Sequence, residues 1–174
     1  TGVRHPFPTS WSGGCQSIPV ELSLQEVGGL LHVCQAPVRE LSAFRGELLG
    51  SPSGLAAWDG EVVLESGATW ELELAPGTDR AVSLKVSDGQ LTLERKAGGL
   101  SKVPHYPWSR TIALRRNADG LARLRILRDR CSLEVFSEDG ADAALCFALT
   151  EPGNFEVAIR GRALGSAFHA VTCP

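Results

Sequence analysis

An all-β fold, with two antiparallel sheets packed face to face, is the fold class that this 174-residue sequence predicts. Three observations predict it. Apolar and polar residues alternate with period two over many short runs, turn-forming residues interrupt those runs roughly every 10 residues, and helical spacing is almost absent.

The clearest run is 68–74, where Trp70, Leu72 and Leu74 share one face while Glu71 and Glu73 share the other. The run 80–87 repeats the pattern with Val82, Leu84 and Val86 inward. The same alternation predicts strands over 61–65, 90–95, 110–115, 121–127, 131–137, 143–149, 154–160 and 167–172. The turn signals between them are Pro76-Gly77, Asp88-Gly89, Asn117 to Gly120, Glu138 to Gly140 and Pro152 to Asn154. Residues 38–44, with Val38, Leu41 and Phe44 apolar, fit one helical turn or an irregular strand. Residues 1–17 contain Pro6, Pro8, Gly13 and Gly14 and read as a linker or extended arm, leaving 18–174 as the sandwich domain.

Composition is globular, with 43% hydrophobic and 21% charged residues. The net charge of -3 argues against a nucleic-acid partner, which wants a basic excess, so Arg123, Arg125, Arg128 and Arg130 must be explained locally. No apolar run reaches the ~18 residues of a membrane span, and no signal-peptide pattern opens the chain. The sequence holds no Met, which reads as a chain processed or cut from a longer one. Cys15, Cys34, Cys131, Cys146 and Cys173 are odd in number and lack C-x-x-C spacing, which favours reduced thiols in a cytoplasmic protein over a disulfide framework. His5, His32, His105 and His169 do not combine with them at zinc-ligand spacing, so neither a metal nor an organic cofactor is expected.

Two segments go beyond pattern. One runs Pro8-Thr-Ser-Trp-Ser-Gly, then Ser17-Ile-Pro-Val-Glu-Leu-Ser-Leu, then Gln35-Ala-Pro-Val-Arg-Glu-Leu. The other runs from Leu124 through Asp129, Ser132, Leu133, Glu134, Val135 and Phe136 to Gly140. Together they resemble glycoside hydrolase family 32, the invertases, inulinases, levanases and sucrose-6-phosphate hydrolases. Trp11, Gly13, Ser17, Ile18, Pro19, Glu21 and Leu22 match the family's W-x-G-x-x-S-[LI]-P-R-E-L segment, except that Val20 stands where the family usually has Arg and one extra residue falls near Cys15-Gln16. The second segment matches D-x-S-x-[VL]-E-V-F-x-x-x-G through Asp129, Leu133, Glu134, Val135, Phe136 and Gly140, with Ser132 one position later than the pattern's Ser.

The resemblance implies a C-terminal β-sandwich that follows a catalytic five-bladed propeller. Its partners would be that propeller and fructoside sugars, with oligomerisation open. It also implies that the catalytic carboxylates lie elsewhere. The family's W-M-N-D-P-N-G, R-D-P and E-C elements are absent, and the chain has neither an Asp-Pro nor a Glu-Cys dipeptide. The expected role is therefore accessory and non-catalytic. A freestanding sugar-binding module and a complete glycosidase on an unfamiliar sandwich are the alternatives.

No catalytic residue is assigned. A retaining glycosidase needs two carboxyl groups about 5 Å apart. Glu71 and Glu73 come nearest by sequence, but on a strand's apparent solvent face. Glu134 is given a structural role. A two-residue loop at Asp129-Arg130 would set Ile126 opposite Leu133, Leu124 opposite Val135 and Arg123 opposite Phe136, and would make Arg125 and Glu134 a cross-strand ion pair. Trp58 in a loop before Asp59-Gly60, Tyr106 and Trp108 in a Pro-containing loop, and the outward Phe136 are candidates for a carbohydrate or domain contact. Cys131 shares the inward parity of Leu133 and is expected to be protected.

Overall fold

A computed structural model of the chain describes residues 16–96, 108–151 and 153–172. The strands are β1 (Val20–Val27), β2 (Leu30–Pro37), β3 (Arg45–Leu49), β4 (Trp58–Leu64), β5 (Trp70–Leu74), β6 (Val82–Ser87), β7 (Gln90–Arg95), β8 (Trp108–Ala113), β9 (Ala122–Asp129), β10 (Ser132–Ser137), β11 (Ala143–Phe147), β12 (Val157–Gly161) and β13 (Gly165–Val171). The ambiguous stretch is a 3-10 helix, Arg39–Phe44.

Two antiparallel sheets form the sandwich: a six-stranded one ordered β11-β10-β9-β4-β13-β3 and a five-stranded one ordered β12-β5-β6-β7-β8. The alternation read in the sequence becomes the core. Val62, Leu64, Ile126, Leu133, Val135 and Phe168 face Leu72, Leu74, Leu84, Val86, Leu91 and Leu93, all of them buried. β1 and β2 pair only with each other, as a separate two-stranded sheet.

Three expectations about this framework are corrected. Trp58 is not in a loop: it begins β4, is fully buried and meets the Phe168 ring edge-on, with centroids 5.7 Å apart. Asp59-Gly60 reads as a turn but continues the strand. A Cβ on Gly60 would lie 2.7 Å from the Phe168 ring, so glycine serves there for close packing. Trp108 likewise opens β8 and packs, half-buried, against the core. Tyr106 lies outside the described residues.

The third correction is the β9–β10 register. Asp129 pairs with Ser132, so the loop is Arg130-Cys131, with the Asp129 carboxylate accepting the Arg130 N–H at 2.7 Å. Ile126 pairs with Val135, Leu127 with Glu134 and Arg125 with Phe136. Moving the loop by one residue on each strand keeps every side chain on its own face. The inward set Leu124, Ile126, Leu133 and Val135 is therefore the same in both registers, and parity could not choose between them. Cys131 falls in the turn and is half-buried rather than enclosed. Cys34 and Cys146 are buried, and burial pushes the Cys146 thiol up to about 12.

Candidate functional site

The outer face of β9 and β10 should be solvated by alternation, yet Glu134 is 2% exposed and Phe136 4% exposed. The chain leading into β1 and the base of the β1–β2 hairpin account for this. Glu134 Oε1 accepts the Ile18 N–H at 3.1 Å. One residue beyond, Val38 N–H donates to the Pro19 carbonyl at 3.2 Å and closes the hairpin base. On the other strand, Gln35 N–H donates to the Gly140 carbonyl at 2.8 Å.

Gly140 is bare for a reason. Its φ is +69°, and a Cβ would stand 2.9 Å from the Gln35 carbonyl oxygen. The two sequence segments that carried the family resemblance thus meet in space: Glu134 and Gly140 of the second clamp Ile18 and Gln35 of the first. The expected Arg125–Glu134 ion pair does not form. Phe136 is enclosed by its own domain and leaves the set of exposed contact candidates.

Arg125 has a different partner. Asp59, 1% exposed, receives Arg45 through Nε at 2.7 Å and Nη2 at 3.1 Å, and Arg125 through Nε at 3.1 Å and Nη2 at 2.7 Å. Burial alone would push the Asp59 carboxyl up; the two guanidiniums outweigh it and hold it below the usual carboxylate range. Two further members of the arginine cluster also have local partners. Arg123 pairs with Asp119 at 2.5 Å, and Arg128 is buried inward, donating to Thr150 at 3.3 Å, with its pKa pushed down to about 10 by burial.

Two open cavities flank the hairpin base. One, about 320 Å³, is lined by Ser17, Val20, Arg110, Glu134, Phe136 and Leu145 among others, and among the described residues Glu134 is its one carboxylate. The other, also about 320 Å³, includes Glu61 and Glu138 in its lining, but Arg45 holds Glu61 at 2.5 Å and Arg123 holds Glu138 at 3.6 Å. Glu71 and Glu73 are not solvated as expected. Glu73 is buried, and Arg160 Nη1 bridges both carboxylates at 3.2 and 2.9 Å. Among the described residues, no group of three His, Cys, Asp or Glu is placed to hold a metal ion, and no helix is long and apolar enough to cross a membrane.

Burial pushes Glu134 above the usual glutamate value of 4.5, with the Ile18 N–H opposing the shift. A raised folded pKa contributes stability that is complete below the unfolded pKa and is lost as pH rises through the folded one. Glu134→Gln retains an oxygen for Ile18 and removes that loss. The variant should match the wild type near pH 4 and exceed it at pH 7 in urea melts. A variant less stable than the wild type at pH 7 would mean that the charge itself is needed.

The β1–β2 hairpin was not read from the sequence. Its signal was present as Gly28-Gly29, with φ of +62° and +81°, between the alternating runs that pair Val27 with Leu30. One face of this hairpin is apolar: Leu22, Leu24, Leu31 and Val33 are exposed and share a side.

No protein-family model matches the chain. A levanase of Bacillus sp. (strain L7) is 32% identical over 155 residues, covering 77% of this chain and 17% of the levanase. The fold matches exo-inulinase from Aspergillus awamori with a TM-score of 0.78 at 14% identity, over 96% of this chain and 38% of that one. It also matches a glycoside hydrolase family 32 structure from Bifidobacterium adolescentis with a TM-score of 0.59 at 19% identity, over 89% and 25% of the two chains. The chain thus spans a sixth to two fifths of these proteins.

Proposed function

The chain being a C-terminal β-sandwich domain of glycoside hydrolase family 32, we propose that it is the accessory module of a β-fructofuranosidase, that it stabilises a catalytic propeller preceding it, and that it performs no hydrolysis itself. The observation that supports this most directly is the clamp. Glu134 and Gly140 hold Ile18 and Gln35, so whatever precedes residue 16 is attached to the sandwich at a fixed place. A rigid attachment of this kind suits a module whose work is orientation.

The carboxylates support the same reading. Retaining hydrolysis needs a nucleophile and an acid/base on either side of one bond. Among the described residues Glu134 faces its cavity without a second carboxylate, while Glu61, Glu71, Glu73 and Glu138 are engaged by arginines. The parent's substrates would be β-fructofuranosides of the kind that the names levanase and exo-inulinase indicate.

Purified 174-residue protein should release no reducing sugar from sucrose, inulin or levan. The full-length polypeptide should hydrolyse one of them and lose thermal half-life when the module is deleted. Sugar release by the isolated chain that disappears in Glu134→Ala or Glu61→Ala would overturn the non-catalytic assignment.

A further inference from the structure

We propose that the β1–β2 hairpin is the docking element of this module and that its apolar face seats on the catalytic domain preceding it in the same polypeptide; this rests on the functional reading above. Direct cross-strand pairing joins Leu24 to Val33, Leu22 to Gln35 and Leu31 to Glu26, which puts four apolar side chains on one side. Leu22, Leu24, Leu31 and Val33 are 65, 65, 71 and 66% exposed, whereas Cys34 on the opposite side is 1% exposed. The hairpin therefore turns the small thiol of Cys34 inward and Leu22, Leu24, Leu31 and Val33 outward, the reverse of what burial within this chain would select.

The hairpin also adds to neither sheet of the sandwich. Its eight-residue strands extend roughly 25 Å, and among the described residues its hydrogen bonds to the body are at the base, at Ile18 and Gln35. A two-stranded hairpin without a third strand or a covering layer is marginal in water, so the exposed face calls for a cover. The base is held rigidly at Ile18 and Gln35, which gives the face a defined direction rather than a swinging one.

Three observations favour the preceding domain as that cover. The apolar face begins four residues after Ile18, so it lies beside the incoming chain. The levanase and the exo-inulinase, of which this chain covers 17% and 38%, extend far beyond the matched part, so a body large enough to meet the face exists in such proteins. The face itself is aliphatic and without aromatic rings, which suits a packed protein surface better than a sugar, since sugars stack on rings.

The test uses Leu24→Thr/Val33→Thr and Leu22→Thr/Leu31→Thr, which keep the tendency to form strands while removing the apolar surface. In the full-length enzyme each pair should shorten the heat-inactivation half-life by about 10-fold and leave kcat/KM for sucrose at room temperature within about twofold. In the 174-residue chain the same pairs should leave the unfolding midpoint within about 2 °C, since the replaced side chains are exposed there. A lowered midpoint in the 174-residue chain would mean that the face is packed within it and would overturn the proposal. An unchanged half-life, in an enzyme that does lose half-life when the module is deleted, would sink the docking face alone. If deletion of the module also changes nothing, the accessory reading fails with it. A concentration-dependent dimer of the 174-residue chain, abolished by the same substitutions, would assign the face to a second copy and overturn the proposal.

Discussion

Asp59→Ala is expected to destabilise the domain by about 3–5 kcal/mol, the range seen when one member of a buried charged group is removed. Asp59 is 1% exposed and binds two guanidiniums side-on, each of its oxygens receiving one N–H from Arg45 and one from Arg125. Without it, Arg125 loses its carboxylate and sits beside Arg45, which retains Glu61 at 2.5 Å. The loss would reach across the sheet, because Arg45 lies on edge strand β3, Asp59 on β4 and Arg125 on β9.

Asp59→Asn should cost less, about 1–3 kcal/mol, because the amide retains one acceptor while losing the charge. The pH dependence separates charge from shape. Asp59 is held below its ordinary value of 3.8, so its contribution is complete above that value and is lost as pH falls through the folded pKa. Wild-type protein should lose this contribution only in strong acid, and the Asn variant should lack that part of the acid transition. Chemical denaturation of the three proteins between pH 2 and pH 7 checks the order; an Asn variant as stable as the wild type at pH 7 would mean that the network contributes nothing.

Gly140→Ala should cost about 2–4 kcal/mol and should act first on the hairpin rather than on the core. A left-handed φ of +69° disfavours a Cβ by about 1–2 kcal/mol. The added carbon would approach the Gln35 carbonyl oxygen to 2.9 Å and its nitrogen to 3.1 Å, so the hairpin base must move away and weaken the bond between Gln35 N–H and the Gly140 carbonyl. Amide exchange is the sensitive readout. Gln35 and Ile18 should lose protection by orders of magnitude, while Leu84 in the core should lose only what the global stability loses. Full protection of Gln35 in the variant would show that the turn yields and that the clamp does not depend on glycine.

How much of this was legible depends on the range of the interaction involved. β7 was read with its actual bounds, Gln90–Arg95, because alternation and the Asp88-Gly89 turn signal are both local. The inward set of β9 and β10 was legible for the same reason. Their pairing was not, since Asp129-Arg130 and Arg130-Cys131 are both two-residue loops that preserve the same faces. Trp58 was misplaced because Asp-Gly is ordinarily a turn, and only the Phe168 ring above Gly60 and the arginines around Asp59 show why here it is strand.

The candidate site divides along the same line. From residues 17–22 and 129–140 the sequence determined by itself that two recognisable segments exist and that the family's catalytic motifs do not accompany them. Covalent order, residue type and period-two alternation are written in the chain, and they sufficed for an all-β sandwich. Only the tertiary structure decided that Glu134 holds the Ile18 N–H instead of Arg125, that Phe136 is buried beneath the hairpin base, and that Leu22, Leu24, Leu31 and Val33 are left facing outward. Those outcomes depend on contacts between residues as far as 116 positions apart. Local pattern says which face a side chain takes, but not what comes to lie on that face.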